Sequence, residues 1–420
     1  MSIRAEASGP KGRNYRVIGA FPRISGLYRA KGSGKTPIFR APGPKTAGFP
    51  LVLTSAPVQS LFLDVLRCPA CLTDRAFDLV GPRSDEREIR EAILRCRQCG
   101  HEGHVQAGIV DLMHQPPEFV LREAQGLERF AAEMRSDGWD KEAVLALPYR
   151  QDGYWYAQAT AMHQALHQHP FGPGQRLLDV GSNTCWASAT FARERDLDVV
   201  ALDISAAPLQ GLATAQWWMD AHPIFLERLR SLMFAPALAS EAFDWVWCCE
   251  VLHHNHRENL ERTLAELFRV LKPGGRLIAV NETVRSLRHP GVRGQGAVER
   301  VEEWAGYEHS YLRRTYLRAA RRAGFEVAVK GPWYLPAFEQ GMIEISPEMS
   351  IAQGLRAALA HALRRMPRVR MRYLTWKTYV TGAAALFFVA TKPGSSASPP
   401  TPGAVAPADR ELDRAARTEP

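Results

Sequence analysis

The stretch Leu177-Leu178-Asp179-Val180-Gly181-Ser182-Asn183-Thr184-Cys185-Trp186 decides the fold. It begins inside a short apolar run, residues 176–180, of the kind that forms a strand buried on both faces of a sheet. Gly181 then allows a sharp turn and a close approach of the backbone to a ligand. Five further runs of this kind follow along the chain, at 199–204, 245–251, 276–281, 325–330 and 385–392.

Helical segments alternate with these runs. Residues 259–271 carry apolar side chains at 260, 264, 267, 268 and 271, which is the spacing of one helix face. Lys272-Pro273-Gly274-Gly275 then ends the helix with a turn before the next strand. The alternation predicts an α/β fold with a doubly wound, mostly parallel sheet, whose ligand lies beyond the carboxyl ends of the strands.

An acidic residue ends the second run. Asp203 follows Asp179 by 24 residues. At that strand end, a carboxylate can accept hydrogen bonds from both hydroxyls of a ribose. The strand, the loop and this acid together indicate a ligand that contains adenosine.

The order of the motifs resembles a known family. Class I S-adenosylmethionine (SAM)-dependent methyltransferases share the successive motifs found here at residues 177–181, 200–203, 243–246, 251–254 and 269–275. The resemblance covers residues 172–392 and implies SAM as cofactor and a Rossmann-like, seven-stranded sheet whose last strand is antiparallel. It also implies the residues that bind the cofactor, which we expect to be Asp179, Gly181, Ser182, Asn183, Asp203, Ile204 and Glu250.

The chain departs from the family pattern at three positions. Asn183 and Cys185 stand where the loop usually carries glycine, and Asn tolerates left-handed backbone angles better than other non-glycine residues. Leu232 lies near the place of the acid that commonly contacts the adenine. The alternative is a cofactor-free member of the family that serves as a scaffold.

Two histidines are the candidate catalytic residues. Methyl transfer from a sulfonium is an in-line displacement, so a base matters only when the acceptor is a hydroxyl or a protonated amine. His253 and His254 follow the fourth strand, on the side where an acceptor is expected. Glu282 and Glu308 lie after the fifth strand and in the next crossover. A surface or capping role is the alternative for each of them.

The N-terminal part of the chain carries a metal-binding pattern. Cys68, Cys71, Cys96 and Cys99 form two Cys-x-x-Cys pairs separated by 24 residues, which predicts a structural zinc site, with disulfides as the alternative. His101 and His104 are alternative ligands. Residues 66–113 resemble the zinc-ribbon domain of the activator proteins of tRNA methyltransferases. The ribbon either contacts a substrate or supports the catalytic domain.

Composition divides the chain into five segments. We expect a disordered basic tail (1–60), the zinc ribbon (61–115), a helical lead-in (116–171), the methyltransferase domain (172–393) with an insertion at 334–381, and a disordered tail (394–420). Aromatic residues of the lead-in, among them Trp139 and Trp155, either cover the cofactor or pack between helices.

Positive charge is concentrated outside the predicted core. The net charge is +9, and residues 1–60 hold ten Lys/Arg and one acid, so the remaining residues sum to zero. Residues 356–377 of the insertion hold seven Lys/Arg and no acid. They could bind RNA phosphates, an anionic membrane surface (through 350–377) or an anionic acceptor, or form a solvated helix face.

The sequence thus supports three functional hypotheses. The first is a SAM-dependent methyltransferase acting on a small-molecule or saccharide-type acceptor, because the folded part of the chain is charge-neutral. The second is an RNA (tRNA or rRNA) methyltransferase, and the third is a non-catalytic SAM-fold partner protein. No apolar run approaches the ~20 residues of a membrane span, so a cytoplasmic protein is expected.

Overall fold

The structure is a computed structural model. It describes residues 63–149, 153–285, 307–330 and 385–394, together with isolated positions between 355 and 373. Apart from Gly394, the two predicted disordered tails lie outside the described residues, as does nearly all of the predicted insertion. At the isolated positions of the insertion, Leu355, Leu359 and Met366 are exposed.

Eleven strands form one sheet. In chain order they are β1 Phe77–Ser84, β2 Ile89–Cys96, β3 Glu102–Gln106, β4 Ile109–Asp111, β5 Arg176–Val180, β6 Asp198–Asp203, β7 Leu226–Arg230, β8 Phe243–Cys249, β9 Leu271–Thr283, β10 Glu326–Lys330 and β11 Ala385–Thr391. Their spatial order is β1-β2-β3-β4-β7-β6-β5-β8-β9-β11-β10.

Seven α-helices are described. They are α1 Glu118–Ser136, α2 Lys141–Leu145, α3 Gly153–Gln168, α4 Trp186–Arg195, α5 Ala215–Ala221, α6 Arg257–Val270 and α7 Arg313–Arg322. Short 3-10 turns include Leu252–His254, directly after β8. No helix among the described residues is long and apolar enough to cross a membrane.

The prediction of a seven-stranded sheet was wrong in its strand number. Strands β5 to β11 form the expected unit, with β7, β6, β5, β8 and β9 parallel and β11 antiparallel between β9 and β10. The four strands β1 to β4 form an antiparallel meander, and β4 pairs in parallel with β7. The cysteine-bearing module therefore continues the sheet instead of forming a separate one, because β7 offers it an open edge.

The sheet is covered on both faces. Leu178, Val246 and Leu277 point to one face, where α6 packs Leu260, Leu264 and Leu267 against them. Leu177, Trp245 and Ile278 point to the other face, where α3, α4 and α5 contribute Met162, Phe191 and Trp218. Successive residues of each strand thus serve opposite layers, which explains the nearly continuous apolar runs in the sequence.

The predicted elements are present with shifts of a few residues. The helix predicted at 259–271 is α6, Arg257–Val270, and its buried residues include Leu260, Leu264 and Leu267. The sequence runs did not include β7, whose residues Leu226–Arg230 contain Glu227, Arg228 and Arg230. Glu227 and Arg228 are buried nonetheless.

Candidate active site

The candidate site lies where the strand order reverses. Chain order runs outward from β5 in both directions, to β6 on one side and to β8 on the other. Loops from neighbouring strands separate at such a point and leave a crevice at their carboxyl ends. The loop after β5, Asp203 at the end of β6 and Glu250 after β8 all lie at this edge.

Gly181 makes the turn that the sequence predicted. Its φ angle is +67°, and a Cβ atom there would clash with the side chain of Val251. The Gly181 and Ser182 amides both donate to the Leu202 carbonyl, at 2.8 and 3.1 Å. Glycine is therefore required by the turn and by the loop after β8, which packs against it.

The two positions that depart from the family loop have left-handed backbones. The φ angles of Asn183 and Cys185 are +46° and +54°. This is the conformation that the sequence predicted for Asn183. The Asn183 side-chain amide donates to Gln210 Oε1 at 2.7 Å, whereas its Oδ1 is buried without a partner among the described residues. The loop thus contains an unused buried acceptor.

Asp203 joins two of the loops at this edge. Its Oδ2 accepts the Asn183 amide and its Oδ1 accepts the Ser205 amide, both at 2.9 Å. The side chain is buried, and this burial raises the pKa of the carboxyl although the backbone donors oppose the shift. Each oxygen keeps a second lone pair, so the carboxylate can still accept two hydroxyl groups.

Asp179 lies behind the loop. Its carboxylate accepts the Ser188 hydroxyl of α4 at 2.5 Å. Burial raises its pKa from the ordinary value of 3.8 to about 7, against the effect of the Ser188 hydrogen bond. Asp179 therefore fixes the first turn of α4 against the end of β5.

An apolar wall closes the β6 side of the crevice. Val120, Leu232 and Phe234 form a buried cluster against which Ile204 and Met233 pack. Leu232 stands near the position where the family pattern has an acid, so this wall offers shape and apolar contact in place of a carboxylate.

Two helices of the lead-in reach into the site. Glu123 of α1 is buried, and its Oε1 lies 3.5 Å from His254 Nδ1. Gln158 of α3 donates to Glu250 Oε2 at 3.0 Å. Burial, followed by nearby carboxylates, raises the pKa of both Glu123 and Glu250 well above the ordinary value. Sequence reasoning missed Glu123 and Gln158.

The lead-in aromatics favour the packing interpretation. Trp155 of α3 lies between Trp139 and Trp186, with ring centroids 6.2 and 6.4 Å away. All three rings pack against the core layer of α3, α4 and α5. The side chains of Tyr154 and Tyr156 lie outside the described residues.

His253 is held by a buried carboxylate. Glu282 Oε2 is 2.9 Å from His253 Nδ1, and the Glu282 carboxylate also accepts the backbone amides of Val251, Leu252 and His253 at 3.1–3.2 Å. Burial lowers the pKa of His253, but its contact with Glu282 outweighs burial and the pKa is raised. Glu282 is fully engaged and orients His253.

His254 lies beside His253, with ring centroids 4.5 Å apart. Its Nδ1 is 3.0 Å from the Tyr307 carbonyl oxygen. Burial and the neighbouring His253 lower the pKa of His254 to about 3, so its imidazole is neutral. The two candidate catalytic histidines are therefore together, and Glu308 lies with them.

A second cavity of about 440 Å³ lies between α6, α7 and the segment around Tyr307. Arg285 is held there by the Ser310 carbonyl and His309 Nε2, both at 2.8 Å. Five arginines and one acid, Glu261, line the cavity, so its potential is positive. The arginines are Arg257, Arg285, Arg314, Arg318 and Arg322.

The four cysteines meet at one point. Sγ of Cys68 is 3.7 Å from Sγ of Cys99, and Sγ of Cys71 is 3.7 Å from Sγ of Cys96. All four sulfurs lie within 4.8 Å of one another. The described metal-ligand group contains neither His101 nor His104, and the His101 ring packs edge-on against His114.

The cysteine module is bonded to the rest of the sheet. The Arg67 amide donates to the Ala237 carbonyl at 3.0 Å, and Ala239 donates to Val65 at 2.7 Å. Arg228 of β7 is 1% exposed and forms an ion pair with Glu88 of the module. These contacts bury the surface that the module shares with β7.

The fold and the switch-point site define a methyltransferase-like α/β protein. Residues 178–279 match the family model described as a methyltransferase domain. A sterol 24-C-methyltransferase of Clavispora lusitaniae is 23% identical over 212 residues, which cover 47% of this chain and 55% of that enzyme.

A malonyl-[acyl-carrier protein] O-methyltransferase of Serratia marcescens is 29% identical over 164 residues, covering 37% of this chain and 59% of that enzyme. The chain thus spans little more than half the length of these relatives. Among solved structures, geranyl diphosphate C-methyltransferase from Streptomyces coelicolor is 14% identical and covers 66% of this chain and 99% of that one, with a TM-score of 0.40.

Proposed function

We propose that the protein is a SAM-dependent methyltransferase that acts on a small-molecule acceptor. The observation that carries the proposal is the position of Asp203, a buried carboxylate at the switch point that is fixed by the Asn183 and Ser205 amides. In this position it binds the two ribose hydroxyls of SAM. The match of residues 178–279 to a methyltransferase domain supports the assignment.

The rest of the crevice fits the cofactor. The orphaned Oδ1 of Asn183 is an acceptor for a donor group of the ligand. The wall of Ile204, Leu232 and Met233 suits a flat, largely apolar adenine ring. Gly181 and Ser182 shape the loop, and Asp179 fixes it to α4. Glu250 lies on the β8 side, where the positive sulfonium favours the ionised form of its carboxyl group. SAM supplies the methyl group as a sulfonium substituent.

His253 and His254 belong to the acceptor half of the site. Their Nδ1 atoms are occupied by Glu282 and the Tyr307 carbonyl, so Nε2 is the atom that each ring offers to chemistry. The reaction needs the acceptor atom in line with the bond between the methyl carbon and the sulfur, and the orientation of the acceptor supplies much of the rate. Glu282 fixes the orientation of the His253 ring, which faces the acceptor.

The acceptor carries an anionic group. The arginine-lined cavity has the size of a small-molecule site, and its Arg257 and Arg318 form no ion pair within the part of the chain that the structure describes. Arginine binds carboxylate or phosphate with two parallel hydrogen bonds. One named relative acts on a sterol, which agrees with a small molecule, and the other acts on a malonyl group carried by a protein. No comparison supports RNA as the acceptor.

The four cysteines bind zinc, and the ribbon supports the catalytic domain. Tetrahedral zinc with Zn–S bonds of about 2.3 Å separates its sulfurs by about 3.8 Å. The observed 3.7 Å separations fit this geometry. The supporting role follows from the strand pairing of β4 with β7 and from the buried Glu88–Arg228 pair, which use the ribbon surface for internal contacts.

The experiment uses SAM labelled in its methyl group. The full chain is incubated with the labelled cofactor and either a metabolite extract or total RNA from the source cell, and the products are separated on an anion exchanger. We expect label in a retained small molecule and none in RNA. Label in RNA alone, or only in species that pass through the exchanger, would contradict the acceptor assignment.

A further inference from the structure

Three metal-ligating side chains converge beside the cofactor loop. His253, His254 and Glu308 each offer one ligand atom, and these atoms lie within 4.8 Å of one another. The two histidines come from the turn after β8, and Glu308 from the segment before α7. The His309 amide donates to the His253 carbonyl at 3.0 Å and so ties the two segments together.

The hydrogen bonds of the histidines prepare both rings for a cation. Carboxylate and carbonyl oxygens only accept, so His253 Nδ1 donates to Glu282 and His254 Nδ1 donates to Tyr307. In the neutral form of each ring, Nε2 then carries a lone pair. Imidazoles that bind metals are characteristically oriented in this way, by a carboxylate or a backbone carbonyl on the other nitrogen.

The surroundings favour positive charge. Glu123 Oε1 lies 3.5 Å from His254 Nδ1, and Glu250, which is half-buried, follows the same strand end as the two histidines. No arginine or lysine pairs with Glu123, Glu250 or Glu308 among the described residues. Several carboxylates without a cationic partner are costly to bury, and a bound cation offsets that cost.

We propose that His253, His254 and Glu308 bind one divalent first-row transition-metal ion. Two imidazoles and one carboxylate are a ligand set that suits Mn²⁺, Fe²⁺, Co²⁺ or Zn²⁺. Bonds of 2.0–2.2 Å bring ligand atoms to about 3–4 Å from one another, so the side chains need only small movements to close on the ion. Three protein ligands leave open positions for the acceptor.

The ion gives the histidines their role in the proposed reaction. An acceptor oxygen that binds the ion loses its proton to solvent more readily, because the ion stabilises the resulting anion. That oxygen then forms a bond to the methyl carbon of SAM while the carbon–sulfur bond breaks, and the electron pair of that bond remains on the sulfur. Only this consequence rests on the proposed methyltransferase function, because the ligands themselves belong to the chain.

The test is a Mn²⁺ titration of the full chain whose cysteine site has first been filled with one equivalent of zinc. The spectrum of free aqueous Mn²⁺ is followed by electron paramagnetic resonance. We expect saturation at one Mn²⁺ per chain and affinity at least tenfold weaker in Glu308→Gln and in His254→Gln. The control variant His167→Ala changes an exposed histidine at the end of α3 and should bind Mn²⁺ as the unmodified chain does.

SAM binding is measured on the same samples by calorimetry, so that the two proposals can fail separately. Absence of saturable Mn²⁺ binding, or equal affinity in Glu308→Gln and the unmodified chain, would overturn the metal site even where SAM binds. Glu308→Gln replaces a half-buried carboxyl by its isostere, and unchanged thermal unfolding would show that this variant is folded.

Discussion

The backbone amide of Asn183 donates to the Asp203 carboxylate at 2.9 Å, joining the loop after β5 to the end of β6. This bond requires the left-handed backbone of Asn183, whose φ angle is +46°. The conformation of one loop residue therefore determines the position of the acid that we assign to the ribose of SAM.

The left-handed backbone at Asn183 predicts which of two variants at this position is the more stable. Both Asn183→Gly and Asn183→Val lose the bond to Gln210, but only valine resists the left-handed region. We expect Asn183→Val to be less stable than Asn183→Gly by roughly 1–2 kcal/mol, measured by urea unfolding. Equal stability of the two variants would show that the loop relaxes to another conformation.

Asp179 predicts a pH dependence of stability. Its pKa is raised from 3.8 to about 7 by burial, so between these values the folded state holds a proton that the unfolded state has lost. The free energy of unfolding contributed by this group therefore falls as pH rises from about 4 to 7, by roughly 4 kcal/mol in total.

The measurement is urea unfolding of the unmodified chain and of Asp179→Asn across this pH range. The variant has no charge to bury, so the free energy of unfolding of Asp179→Asn minus that of the unmodified chain should grow from pH 4 to 7 and then level off. A difference that stays constant with pH would contradict the assigned titration.

Zinc content should depend on the cysteine pairs. In reducing buffer we expect the unmodified chain to hold one more zinc per chain than Cys68→Ser/Cys71→Ser, because two thiolates cannot hold the ion tetrahedrally. Cys249→Ser, which changes a cysteine outside the cluster, is the control and should keep its zinc. Metal analysis that finds no zinc in the unmodified chain would remove the ribbon assignment.

Loss of zinc should also weaken the protection of backbone amides in the part of the sheet that carries the candidate active site. Because β4 pairs with β7, amide hydrogen exchange should become faster in both strands of the double-cysteine variant. The amides of β9, on the opposite side of β5, should keep their protection. Unchanged exchange in β7 would mean that the ribbon is held in place independently of the metal.

The Glu88–Arg228 pair should couple the ribbon to β7. Glu88→Gln leaves the guanidinium of Arg228 buried without its carboxylate, so we expect a loss of roughly 3–5 kcal/mol in the free energy of unfolding. Glu88→Met/Arg228→Met removes both charges and should recover most of that loss. Equal unfolding midpoints for Glu88→Gln and the unmodified chain would show that the Glu88–Arg228 pair does not hold the ribbon on β7.

The central strands could be predicted because their environment is local and uniform. Strands such as β5 and β8 are buried on both faces and therefore read as apolar runs, and Asp203 was found because it ends such a run. Strand β7 was missed because its charged residues Glu227 and Arg228 interrupt the apolar pattern of a buried strand. Arg228 can be buried because it pairs with Glu88 of the ribbon, which is distant in the sequence.

Residues contributed by helices were harder to find. Glu123 lies on the buried face of α1 with Val120, Ala124 and Ala131. A lone carboxylate among apolar positions at helical spacing is a signal that the sequence carried. Gln158 carried no comparable signal, because its contact with Glu250 depends on how α3 packs over β8. The number of strands was underestimated because neither the ribbon sequence nor the β7 sequence, taken alone, indicates that β4 and β7 pair.

The central claim is that Asp203 binds the ribose of SAM, and calorimetric titration of SAM tests it most directly. We expect one SAM per chain for the unmodified protein and binding weaker by roughly 1–3 kcal/mol in Asp203→Ala, because two hydroxyl groups lose their acceptor. Asp198→Ala, which removes a carboxylate from the opposite end of β6, should bind SAM as the unmodified chain does. Unchanged SAM affinity in a folded Asp203→Ala variant, or no binding by the unmodified chain, would contradict the account.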